Sequence, residues 1–291
     1  MPWFVFVSFA FFVAVPPMSE FSGHLSLRAE ARANGRTALA AQSFRAPYHL
    51  SKPYWDADAR TLLVQVVNPT AGILAGDRLE SSIAVGADAA LLVTTPSASR
   101  VFKMKDGTAA CRQHFAVADG GWLEVMPEPL VPHRGCSYRQ STRIEAAPGG
   151  EVFFADVLVC GRVAHGETWG WAKLCLEIDV RLGGELILRE RFAHTGAELR
   201  ALAALAGSGP SACFANAVLI AAGSESDAAW QSAIAALHGD GLWVGVSRLR
   251  RGGWSLKFVA PDTVRLRRGL RAARAALAAH FPRLACDPRK L

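Results

Sequence analysis

Residues Glu151–Trp169 read EVFFADVLVCGRVAHGETW. Val152, Phe153, Phe154, Val157, Leu158 and Val159 make an almost unbroken apolar run rich in aromatic and β-branched side chains. Such a run predicts a strand buried on both faces, or nearly so. Gly161-Arg162-Val163-Ala164-His165-Gly166-Glu167 follows directly, with two glycines, a guanidinium, an imidazole and a carboxylate. Glycine lets the chain turn with positive φ and lets other backbone approach closely. Polar groups on a turn at the end of a rigid strand are placed as a functional site would be. They are equally placed for Arg162 and Glu167 to pair with each other, and spacing does not separate the two readings.

Outward from this strand the chain reads as more of the same. Leu62–Val67, Leu79–Val85, Leu91–Thr95, Ala109–Val117, Trp122–Met126, Ser137–Ile144, Leu174–Val180 and Leu186–Phe192 are predicted strands. Asp106-Gly107, Gly120-Gly121, Gly149-Gly150 and Gly183-Gly184 punctuate them. Short strands broken by glycine turns argue for a mainly β architecture, and no fixed-period repeat is visible. Helices are expected late, at Ala197–Ala206 with Gly207 as its stop, at Asp227–His238 capped by Ser224 or Ser226 and ended by Gly239, and at Asp262–His280. Further strands are expected at Phe214–Ala222, Trp243–Val246 and Trp254–Val259. In the last helix Leu266, Leu270, Ala273 and Leu277 form an apolar stripe, and Arg265, Arg268, Arg271 and Arg274 are read as another face. The 291 residues, half of them hydrophobic, supply ample core for one domain.

The formal net charge of +7 raises the question of an acidic partner. The excess is local, in Arg248–Arg251 and Arg265–Arg274, and a basic helix serves protein docking as readily as nucleic acid. The six cysteines include no C-x-x-C pair, so they read as small hydrophobes in a reducing, cytoplasmic compartment. His133-x-x-Cys136 and Cys160…His165 have spacings a metal accepts, without a second pair to complete a site. Trp3–Val15 is apolar and ends at Pro16-Pro17, but it lacks a basic start and is too short to span a bilayer. Residues 1–17 are therefore expected to be a start-site artefact before Met18, with 18–291 as the domain; a genuine anchor is the alternative.

Enzyme templates find no purchase. G-x-S-x-G, Walker A, H-E-x-x-H and a strand-following G-x-G-x-x-G are all missing. A metal-dependent hydrolase built on Asp77, His165 and Glu167 and a β-rich nucleic-acid binder using the C-terminal arginines are the rival classes.

Four ordered blocks carry the reading further. They are Asn68–Asp77 (NPTAGILAGD), Thr94–Lys103 (TTPSASRVFK), Leu123–Pro132 (LEVMPEPLVP) leading into Tyr138–Thr142, and the opening stretch ending GRVAHGE. Together the blocks resemble the urease accessory protein UreD (UreH) family, with Gly35-Arg36-Thr37 and Gly245-Val246-Ser247 also fitting. Thr70, Ala71 and Ala75 stand where that family commonly has glycine, and Arg100, Phe102 and Lys103 replace its usual Lys, Tyr and Arg. The resemblance implies a β-helix-like stack of short strands with a few helices near the C-terminal end. It implies a scaffold, not an enzyme, which docks on apo-urease and binds UreF, which in turn recruits the GTPase UreG. It also implies transient nickel cargo with no stably bound cofactor, and neither membrane nor nucleic acid as partner. Asp77 and Glu167, on the GD and GR-x-x-x-GE motifs, are the implied lining groups of a nickel passage. Gly76, Gly161, Arg162 and Gly166 shape those turns. As conduit groups, both carboxylates are expected to be partly hydrated.

Overall fold

The computed structural model describes residues 22–205, 211–225 and 228–288. The apolar leader, Gly207, Ser226 and Asp227 lie outside them. The described residues open with an antiparallel hairpin, β1 (Ser22–Ala31) and β2 (Thr37–Arg45), then the short β3 (His49–Leu50) and β4 (Tyr54–Asp56) and the longer β5 (Thr61–Val67). β6 (Arg78–Val85), β7 (Ala90–Thr94), β8 (Ser99–Val101), β9 (Ala109–Val117), β10 (Trp122–Met126), β11 (Leu130–Pro132), β12 (Ser137–Ala146) and β13 (Glu151–Val159) follow. β14 (Gly161–Arg162) and β15 (Glu167–Thr168) flank a 3-10 turn, Val163–His165. The remainder is β16 (Lys173–Leu182), β17 (Glu185–Phe192), α1 (Gly196–Leu205), β18 (Cys213–Ile220), α2 (Ala229–Ala235), β19 (Trp243–Arg248), β20 (Trp254–Ala260) and α3 (Thr263–Ala278).

Two sheets face each other. One runs β17-β16-β12-β9-β6-β1-β2, the other β19-β20-β18-β13-β10-β7-β5-β3 with β4, β8 and β11 attached. Between β6 and β13 the chain alternates sheets, so β6, β9, β12 and β16 run parallel in the first and β5, β7, β10 and β13 parallel in the second. The expected β-helix-like stack is therefore present. Val85, Val117, Ala146 and Leu182 stand in one row, 32, 29 and 36 residues apart, which is why the coils leave no fixed period in the sequence.

The strands alternate side chains across two cores, as the pleat requires. Val152 and Phe154 of β13 point between the sheets with Leu25, Ile83, Phe115, Ile144 and Val218. Phe153, Ala155, Val157 and Val159 point outward against Trp230 of α2 and Leu266, Leu270, Ala273 and Leu277 of α3. β13 is thus buried on both faces, as its unbroken apolar run predicted.

Several expectations need correction. No strand was expected before Leu62, yet β1 alternates exposed and buried residues through Leu25, Leu27 and Ala29. Its helix-favouring Arg, Glu and Ala residues obscured that period. α2 starts at Ala229 and ends at Ala235, short of Gly239; of its two expected caps Ser226 lies outside the described residues, and the Ser224 carbonyl accepts the Trp230 indole N–H at 3.2 Å. Arg274 does not belong to an exposed arginine face. Successive i, i+3 steps drift by about 60° around a helix, so the fourth arginine of the series turns inward and is buried.

Candidate functional site

The four motif blocks come together at one end of the sandwich as stacked loops. Ile73 donates its N–H to the Arg100 carbonyl at 2.8 Å and accepts from Phe102 at 2.9 Å, tying the first block to the second. Leu130 of the third block pairs with Ser99 of the second and Leu158 of the fourth. His133 donates its backbone N–H to the Val101 carbonyl at 2.9 Å, and Gly135 to Gly170 at 2.7 Å. Sequence separation of about 30 residues per block is the length of one coil.

In the fourth block Arg162 and Glu167 form a two-pronged ion pair. Nε donates to Oε2 at 3.0 Å and Nη2 to Oε1 at 2.6 Å. The Arg134 backbone N–H reaches Oε2 at 3.4 Å, and Arg134 Nη2 donates to the Gly166 carbonyl at 3.1 Å. The guanidinium bond, foremost, pulls the Glu167 carboxyl down to about 2. Of the two sequence readings of this turn, the internal pair is the one the structure holds. Gly161, at φ 123°, has no room for a side chain: a Cβ there would sit 2.2 Å from the Glu167 carbonyl oxygen. Gly76 and Gly166 also adopt left-handed φ, 81° and 67°.

Asp77 closes its own turn. Its Oδ2 accepts the Leu74 N–H at 2.8 Å, and its N–H donates to the Leu74 carbonyl at 3.2 Å. It is 4% exposed, so the expected partial hydration fails for Asp77 in this state; a carboxylate that satisfies a backbone donor in a turn is drawn out of water. The Glu167 side chain keeps 20% exposure. Of the three residues of the hydrolase reading, Asp77 accepts the Leu74 N–H and Glu167 is paired with Arg162. His133 is buried with its imidazole edge-on to Phe102 at 4.8 Å, and burial first, then the Arg162 charge, push its pKa down. Among the described residues no group of three or more His, Cys, Asp or Glu is placed to hold a metal, and all six cysteines are free and buried.

Behind these loops a cavity of about 150 Å³ lies between the two sheets. That is room for several waters at roughly 30 Å³ each. Ser81, Gln113, Gln140 and Asp156 bring polar groups to a wall that also holds Leu25, Ile83, Phe115 and Phe154. Thr142 Oγ1 donates to Gln113 Oε1 at 2.9 Å, and Tyr138 donates to Gln140 Oε1 at 3.0 Å. Cys111 Sγ, also in the wall, lies 4.0 Å from the Tyr48 hydroxyl, and burial pushes its thiol up to about 11, so it stays neutral.

Asp156 is the acid that sequence reasoning passed over. It sits inside the apolar run of β13 and faces inward, opposite Asn216 of β18, which in turn registers with Lys257 of β20. Lys257 Nζ donates to Asn216 Oδ1 at 3.0 Å and pairs with Glu190 of β17. Burial drives the Asp156 carboxyl up to about 6, against the lowering pull of Lys257 and of bonds from Asn216. The available signal was an aspartate in a strand predicted to be wholly buried, since a buried acid is the informative exception.

Comparison with known proteins adds an independent finding. The model of the family described as UreD urease accessory protein matches residues 22–290. A urease accessory protein UreD of Opitutus terrae is 65% identical over 272 residues, covering 94% of this chain and all of that protein. One of Deinococcus radiodurans is 35% identical over 58% of this chain and 61% of its own length. One of Yersinia enterocolitica is 38% identical over 50% of this chain and 45% of its own length.

Proposed function

This chain belongs to the UreD family of urease accessory proteins, and on that premise we propose that it docks on apo-urease, recruits UreF and through it UreG, and passes nickel towards the urease active site without catalysing a reaction. The observation that carries the route is the cavity between the sheets, with Asp156 among the polar groups in its wall. Nickel(II) binds nitrogen and sulfur ligands tightly, so a clustered Cys/His cage would hold the cargo. A carboxylate, amides and a thiol kept protonated hold it weakly and let it move on. Asp156 is the lining group this reading favours. Asp77 and Glu167 stay in it as groups of the loops at the cavity's end, where Glu167 would meet cargo only by exchanging with Arg162.

The experiment is co-expression with urease subunits, UreF and UreG, followed by affinity capture and metal analysis. The wild-type chain is expected to capture urease and UreF. Asp156→Asn, which keeps size and hydrogen bonding, should capture both equally while the matured urease carries less nickel at limiting metal. Failure of the wild-type chain to capture either partner removes the scaffold reading. Full nickel content with Asp156→Asn removes the route through Asp156.

A further inference from the structure

The cavity has a mouth, and an ion pair stands at it. A groove of about 530 Å³ runs on the outside between the Met126–Pro129 turn, helix α3 and the C-terminal segment, where Asp287 also lines it. Groove and cavity share Thr94, Thr95, Pro127, Glu128 and Val157 in their walls, so this is one place where inside and outside adjoin. The turn is held in place by Thr94 Oγ1 donating to the Met126 carbonyl and by the Glu128 N–H donating to Thr95 Oγ1, both at 2.8 Å. Across the junction Arg267 Nη2 binds Glu128 Oε1 at 2.6 Å, with the two side chains 43% and 26% exposed.

Helix α3 carries five arginines and no carboxylate. Glu124 neutralises Arg274 and Glu128 neutralises Arg267. Arg271 also lines the groove, and its Nε donates to the Arg267 carbonyl at 3.2 Å; among the described residues no acid pairs with it. The groove wall thus offers one guanidinium without a paired acid, Arg271, beside one held by a partly exposed, exchangeable pair, Arg267. An exposed pair of this kind contributes little and yields readily to a competing carboxylate.

We propose that this groove docks an acidic segment of a partner protein, whose carboxylates take Arg271 and compete with Glu128 for Arg267, so that docking unlatches the mouth of the interior cavity. Charge complementarity selects the occupant, and the shared wall couples its arrival to the inside. The purpose of the opening rests on the route proposed above, but the surface and its coupling do not. They are tested on the purified full-length chain without nickel or urease, so they stand or fall apart from Asp156.

The probe is fluorescein-labelled hexaglutamate, followed by anisotropy at low salt, with hexalysine as the control. Arg267→Gln combined with Arg271→Gln is expected to weaken hexaglutamate at least tenfold. Arg268→Gln, on the same helix but outside the groove wall, should change it less than twofold. Glu128→Gln should tighten it about three- to tenfold, because the internal competitor is gone. Methanethiosulfonate labelling of Cys111, read by peptide mass spectrometry, should speed up at least fivefold with hexaglutamate or in Glu128→Gln. Cys213, buried on the helix side of β18, should not follow, which separates opening of the mouth from general loosening. Three results overturn the proposal: equal binding by the double variant, unchanged or weaker binding by Glu128→Gln, or Cys111 and Cys213 rising together. Tighter binding of a thymidine oligonucleotide of matched charge also overturns it, by assigning the arginines to nucleic acid.

Discussion

Arg274 reaches from α3 into the space under β10, where Glu124 is wholly buried. Its Nε and Nη2 bind the two carboxylate oxygens at 2.5 and 3.0 Å, and Nη2 also donates to the Cys286 carbonyl at 2.5 Å. Removing either member strands a charge away from water, which costs about 3–5 kcal/mol, whereas replacing both with apolar groups is far milder. Urea unfolding should therefore show Glu124→Ala and Arg274→Ala each strongly destabilised, and Glu124→Leu with Arg274→Met closer to wild type than either. If the double variant were as unstable as the singles, the pair would be packing and not charge. Asp156 gives a pH signature. Its folded pKa of about 6 lies above its ordinary 3.8, so the folded state holds the proton more tightly. The associated stability is fully present below about 4 and lost as pH rises through about 6. The stability difference between wild type and Asp156→Asn should accordingly slope across that window and be flat above it. A flat difference throughout would mean the carboxyl is not buried in solution.

At the level of elements, capping and strand period decide where pieces start. Asp262 Oδ1 accepts the Arg265 N–H at 2.7 Å and so caps α3. Asp262→Ala should cost about 0.5–2 kcal/mol in thermal or urea unfolding. No loss would show that packing alone sets the helix start. α1 is opened by a reciprocal box: Glu198 accepts the Thr195 N–H at 2.7 Å, and the Glu198 N–H reaches Thr195 Oγ1 at 3.3 Å. Nearly every expected strand from Leu62 onward matches an observed one, because burial on one or both faces writes itself as alternation or as an apolar run. The short β8 and β11 were not legible. Three residues carry no period, and they pair only because stacked loops bring them together.

For the whole molecule, the helices form a third layer. α2, α3 and the Pro282–Ala285 turn cover Phe153, Trp254, Leu256 and Phe258 on the outer face of the larger sheet. A chain ending at Pro261 would keep α2 but lose α3 and the turn and so expose much of that face, and burying each such side chain contributes about 1.5–3 kcal/mol. The truncated chain is expected to bind the dye ANS strongly and to lose its sharp thermal transition. A cooperative, dye-silent truncation would show that the two sheets suffice alone. Among the described residues no helix is long and apolar enough to cross a membrane.

The sequence by itself determined the many strands, the burial of β13 on both faces and the late helices through local patterning, and it reached the family, and with it the stacked arrangement, through ordered motifs. Only the tertiary structure decided what the charged groups do. It turned Arg162 and Glu167 onto each other, drew Asp77 into its own turn, sent Arg274 inward to Glu124 and set Asp156 in the wall of a cavity. The reason is that a charge takes its role from the groups that face it. Those partners lie up to 150 residues away in the chain, as Glu124 and Arg274 do, where no local pattern reaches.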